Sequence, residues 1–144
     1  MKQTNVSQVG TSRAHFGVLL SPTPRGARLA RLLAVEWLRD RHEVPYRMAE
    51  TAAQLVAELA ANAATHGRVT GRSFRLALLA DRGVLRIEVT DTRADALPRR
   101  RPPSPDAESG RGLLLVEALA NRWGATLGPA PQKTVWVELD LPVS

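Results

Sequence analysis

The chain has 144 residues, 44% of them hydrophobic, and a formal net charge of +6. That length suits one domain with a core of its own, and the apolar content favours a folded globule over a disordered chain. There is no cysteine, which excludes disulfides and thiolate metal centres. Aromatic residues make up 4%, a poor supply for the stacking platforms of single-stranded nucleic-acid binders. Of the twenty basic residues only Lys2 and Lys133 are lysine, and the balance favours anionic partners: nucleotides, nucleic acid or an acidic protein surface. No run approaches the length of a membrane span and the N-terminus has no apolar signal core, so a cytoplasmic location is expected.

Residues 1–13 are polar and patternless and read as a flexible tail ahead of a single domain over 14–144. His15 to Leu20 predicts a strand, ended by Ser21-Pro22-Thr23-Pro24. Thr23 suits an N-cap and Pro24 the first helical position, so a helix is expected from there to about Asp40. Leu29, Leu32 and Leu33 follow its spacing. A second, Ala/Leu-rich helix is expected from Tyr46 to His66, with Gly67 as its stop. Phe74–Leu79 and Val84–Thr90 predict a hairpin turning at Asp81-Arg82-Gly83, because Leu85, Ile87 and Val89 alternate with Arg86, Glu88 and Thr90.

From Asp91 to Gly112 no apolar period is visible. Four prolines and Arg99-Arg100-Arg101 mark a long connection, of the kind that is usually functional or disordered in compact domains. A third helix is expected over Leu113–Arg122, then strands at Gly124–Leu127 and Thr134–Leu141. The order predicts a two-layer α/β sandwich, a mixed and mostly antiparallel sheet covered on one face by helices.

The second helix carries Glu58, Asn62 and His66 four residues apart, hence in one stripe. Two readings stay open on that stripe alone. It is either a solvated polar face or a site, with the Asn62 amide oxygen as a hard ligand for magnesium and Glu58 acting on a nearby water or hydroxyl. Asp91 closes a strand and is either a turn former or an acceptor for an exocyclic amine such as that of adenine. Gly110-Arg111-Gly112 is either a hinge or an entrance at which backbone N–H groups and the Arg111 fork meet an anion. Thr134 in the closing strand brings a hydroxyl beside Asp91 if the two strands are neighbours. Neither zinc-ligand spacing nor a serine-hydrolase elbow nor a P-loop is present.

Together the segments ELAANAATHG, VTDTRAD, ESGRGLLLVEALANRWG and KTVWVEL resemble the ATP-binding module of bacterial anti-sigma-factor serine kinases, within the superfamily shared by gyrase, histidine kinases and MutL. The resemblance spans about Phe16 to Leu141. It implies that Asn62 binds the magnesium ion bridging the ATP phosphates and that Glu58 is the general base for a partner's serine hydroxyl. It further implies that Asp91 reads the adenine amino group with Thr134 close by, and that Gly110, Arg111 and Gly112 belong to the lid over the phosphates. A sigma factor and an anti-anti-sigma protein of the STAS type are the implied partners, and a homodimer the implied assembly. Membrane or direct nucleic-acid binding is not implied. One departure stands out: Asp91 is followed by Thr92-Arg93-Ala94-Asp95, where the superfamily usually carries glycines. Those residues take glycine-only backbone angles at a cost, so the nucleotide-contacting loop must differ. The alternative function is a catalytically inactive nucleotide-binding module that acts by docking.

Overall fold

The computed structural model describes residues 13–66, 72–91, 108–128 and 132–142. In chain order they form β1 (Arg13–Leu20), α1 (Pro24–Arg39), α2 (Tyr46–His66), β2 (Phe74–Asp81), β3 (Val84–Asp91), α3 (Glu108–Leu119), β4 (Arg122–Leu127) and β5 (Lys133–Asp140). The five strands make one sheet in the order β1-β2-β3-β5-β4. Every ladder is antiparallel, which sharpens the mostly antiparallel sheet expected. Of the tail expected over 1–13, Arg13 belongs to β1 and residues 1–12 lie outside the described residues, as do Gly67 and residues 92–107 of the long connection.

The entry to α1 follows its sequence signals. Thr23 is extended (φ −136°, ψ 163°), and its hydroxyl accepts the Gly26 N–H at 3.0 Å while Pro24 opens the helix. Gly26 is there for space: a Cβ would lie 1.9 Å from the Ser21 carbonyl oxygen. From Gly26, α1 buries Ala30, Ala34 and Leu38 along one four-residue stripe. The helix ends at Asp40, whose N–H reaches the carbonyls of Trp37 and Leu38. Arg41 follows, with its guanidinium 4.8 Å from the centre of the Trp37 ring.

α2 is the central helix. It packs against α1 and α3 and onto β2 and β3, so its apolar stripe is broad: Ala52, Leu55, Val56, Leu59, Ala60 and Ala63 are all buried. Opposite them the sheet contributes Phe74, Leu76 and Leu78 from β2, Leu85 and Ile87 from β3, and Val137 and Leu139 from β5. Each such fully buried side chain stabilises the fold by about 1.5–3 kcal/mol relative to exposure. The hairpin β2–β3 is tighter than expected, because Asp81 pairs directly with Val84. Arg82 and Gly83 alone make the turn, at φ 52° and φ 79°, as a two-residue turn matched to strand twist requires.

Strands β2 to β5 shift by one or two residues at an end from the sequence expectation, and three further boundaries differ. β1 starts at Arg13 rather than His15, because Arg13 stands opposite Asp81 and pairs with it at 3.6 Å. α3 starts at Glu108 and takes in Gly110-Arg111-Gly112, which was expected to precede it. Glycine lowers helix propensity by about 1 kcal/mol without forbidding helix, and Glu and Ser are residue types that helix starts favour. α3 also stops at Leu119, and Arg122, expected to end it, opens β4. There Arg122 joins the β4–β5 ladder opposite Glu138 and binds Glu138 at 2.8 Å and also Asp140.

Candidate functional site

Strand parity decides what each end of the sheet presents. Along β3 the residues Leu85, Ile87, Val89 and Asp91 are buried beneath the helices, while Arg86, Glu88 and Thr90 alternate onto the open face. Asp91, 6% exposed, is the one buried charged residue among those described. A carboxylate carried on the covered face of a sheet, at the strand end where the long connection leaves, is set up to recognise a donor entering between sheet and helices.

β5 runs beside β3, as the sequence reading required for a site shared by the two strands. The register, however, places Thr90 opposite Thr134 and Asp91 opposite Lys133. Directly opposed residues share a face, so Thr134 projects to the open face, where its hydroxyl lies 2.7 Å from that of Thr90. The expectation that Thr134 brings a hydroxyl beside Asp91 is therefore corrected. Lys133 is the β5 residue on the face of Asp91. The signal was present in the sequence: Lys133 has the parity of Val135, Val137 and Leu139, as Asp91 has that of Leu85, Ile87 and Val89.

Glu58 and Asn62 lie one turn apart on α2, both half-buried. Neither makes a hydrogen bond or ion pair with any described residue. Two clefts of about 680 and 440 Å³ follow the outer seam between α1 and α2, with Arg31 in the wall of both. Neither includes Glu58 or Asn62, which occupy the other flank of α2, away from α1. His66 is the last residue of α2.

α3 supplies the remaining element. Gly110, Arg111 and Gly112 fall in its first turns instead of a preceding turn. The N–H groups that open any helix lack intrahelical partners, and within α3 these belong to Glu108, Ser109 and Gly110. Those amides and the positive end of the helix dipole form an anion-attracting pole, while glycine at 110 and 112 adds no side-chain bulk there. α3 is anchored by Val116, which is fully buried.

Among the described residues no group of three or more His, Asp or Glu side chains converges to hold a metal. An all-protein metal cage is thus not what these residues offer. A single amide oxygen such as that of Asn62 suits an ion that keeps several waters and takes its other ligands from phosphates. Among the described residues, too, no helix is long and apolar enough to cross a membrane.

Comparison with known proteins bears on the fold and the family. No curated protein matches the chain in sequence. Among solved structures it is similar to the crystal structure of the RsbU and RsbW domains of Rv1364c from Mycobacterium tuberculosis, with a TM-score of 0.64 at 24% sequence identity. The likeness covers 89% of this chain and 32% of that one, so the chain spans about a third of the matched protein. At that identity the likeness concerns the fold. The family described as the histidine kinase-like ATPase domain matches residues 20–138. That stretch runs from the end of β1 through both site-bearing helices to the closing strand, and the chain belongs to the histidine kinase-like ATPase domain family.

Proposed function

We propose that the chain is an ATP- and magnesium-dependent serine/threonine protein kinase that acts as an anti-sigma factor. The observation that carries the kinase reading is the pair Glu58 and Asn62, one turn apart, half-buried and engaged with no described residue. A module that only binds nucleotide has no use for the carboxylate. Membership in an ATPase domain family and the order of the four sequence segments support the same reading.

In this mechanism the Asp91 carboxylate accepts a hydrogen bond from the adenine amino group, which fixes the base beneath the helices. Asn62 would hold the magnesium ion through its amide oxygen, and the ion, when bound, would supply charge neutralisation for the phosphates. The first-turn amides of α3 meet the phosphate oxygens. Glu58 accepts the proton of the partner's serine hydroxyl as its oxygen bonds to the γ-phosphorus. The bond from that phosphorus to the departing ADP oxygen breaks in the same transfer, giving phosphoserine and ADP. The partners proposed are a sigma factor, held inactive, and an anti-anti-sigma protein, which receives the phosphoryl group. A homodimer in the cytoplasm is the proposed working form.

Calorimetry with ATP and Mg²⁺, on the wild type and on Asn62→Ala, tests the site. Magnesium-dependent binding that is lost in the variant supports the reading. No binding at millimolar ATP would overturn it, and the chain would then be a partner-binding member of its family without nucleotide.

A further inference from the structure

Asp91 is not the last charged residue on the covered face of the β3–β5 pair. Lys133 stands directly across from it, and opposed residues of an antiparallel pair hold their Cβ atoms about 4.5–5.5 Å apart and point the same way. On its other side Lys133 is paired with Leu127 of β4. Lys133 is half-buried, and it makes no ion pair with any described carboxylate. A partly desolvated ammonium beside an apolar neighbour retains a strong donor for whatever enters there. The two residues thus offer a ligand one acceptor, on Asp91, and one donor, on Lys133, side by side.

That pairing has a chemical counterpart. Adenine carries an exocyclic amino group, which donates, flanked on either side by a ring nitrogen, which accepts. We propose that Lys133 is a base-reading residue that donates to a ring nitrogen next to the amino group accepted by Asp91. A lysine can only donate. Position 133 therefore demands an acceptor from the base, and two residues one strand apart read two adjacent atoms of one edge. This inference rests on the nucleotide-binding reading above and extends it to a residue that the motif pattern passed over.

The test compares ATP with 1-deaza-ATP and 7-deaza-ATP, which each lack one of the flanking nitrogens and keep the amino group. Binding of all three with Mg²⁺ is measured by calorimetry on the full chain. In the wild type one analogue is expected to bind about tenfold to a hundredfold more weakly than ATP, the range of a hydrogen bond to a charged group. In Lys133→Met, which keeps the length of the stem, ATP weakens by a similar factor and the gap between ATP and that analogue closes. Equal binding of all three nucleotides to the wild type overturns the proposal without any variant, as does a gap that persists in Lys133→Met. If the wild type binds no ATP at all, the nucleotide-binding reading falls first and the role of Lys133 falls with it.

Discussion

The two faces of the β3–β5 pair handle charge in opposite ways. On the open face Arg86 reaches Glu88 and Glu138, each at 2.7 Å, and Arg122 reaches Glu138 and Asp140. Arg86 also lies 4.4 Å from the centre of the Trp136 ring. Here every carboxylate has a guanidinium within reach. Arg122 first, then Arg86, hold the Glu138 carboxyl below its ordinary value, and Arg122 does the same for Asp140. On the covered face, toward the other end of the same strands, Asp91 is buried at the end of an apolar row and Lys133 stands across from it without pairing with it. Charges that satisfy one another close to solvent make a scaffold. A buried carboxylate opposite an ammonium that pairs with no described carboxylate, at the rim of a helix-covered face, is where the proposed function seats its ligand.

Removing the proposed general base on α2, the helix that covers that face, has the largest expected effect. Glu58→Gln should lower phosphoryl transfer to a protein substrate by about 10²–10⁴-fold, the range for loss of a general base. ATP affinity should change little, and transfer assayed with radiolabelled ATP checks both statements. Undiminished transfer would remove Glu58 from the mechanism.

The comparison of faces is sharpened by a pair of variants on neighbouring residues. Asp91→Asn replaces one acceptor oxygen with a donor and should weaken ATP by about tenfold to a hundredfold. Thr134→Val removes a hydroxyl that serves Thr90 on the other face, and its ATP affinity should match wild type by calorimetry. The reverse ranking would mean that the register does not govern the site.

Packing beneath the covered face sets the next scale. Ile87→Ala, at a fully buried position, should cost about 2–5 kcal/mol in denaturant unfolding. Gly26→Ala should cost about 1–3 kcal/mol, since the new methyl meets the Ser21 backbone and not a side chain that can turn away. An unchanged Gly26→Ala midpoint would show that the entry to α1 gives way freely.

The smallest effect belongs to the open face. Arg86→Met should cost about 1 kcal/mol at neutral pH, because its partners are partly exposed and screened by solvent. The folded Glu138 carboxyl lies below its unfolded value, which is about 4.3. Its contribution is therefore complete above that pH and is lost as pH falls through the depressed folded value. The difference between wild type and Arg86→Met should narrow on acidification below about pH 4.3 and with added salt. Thermal melts at neutral and acid pH check this, and a gap independent of pH would assign the effect to the Trp136 stack.

Element types were legible in the sequence because each rests on a local cause. The Thr23-Pro24 cap, the Ala/Leu period of α2 and the alternation of β3 and β5 all act over a few residues, and all three hold in the structure. Boundaries failed where the cause was distant. Arg13 extends β1 by pairing with Asp81 of β2, and Arg122 opens β4 by pairing with Glu138 of β5. Of the candidate site, Glu58 and Asn62 were visible as an i, i+4 pair that any helix brings into line. Asp91 was visible as the carboxylate that ends a patterned strand.

Which residues share a helix stripe or a strand parity follows from the order of residues alone, since covalent geometry sets both periods. Even the parity of Lys133 was written there. That β5 lies beside β3 in the register that opposes Asp91 to Lys133 and sends Thr134 to the other face is a property of the assembled sheet. The period of a strand is two, so a shift of a single residue in that pairing exchanges every side chain between the faces. That choice is made by burial of Val137 and Leu139 with Ile87 and Leu85 under α2 and α3, contacts that no local stretch of the chain contains.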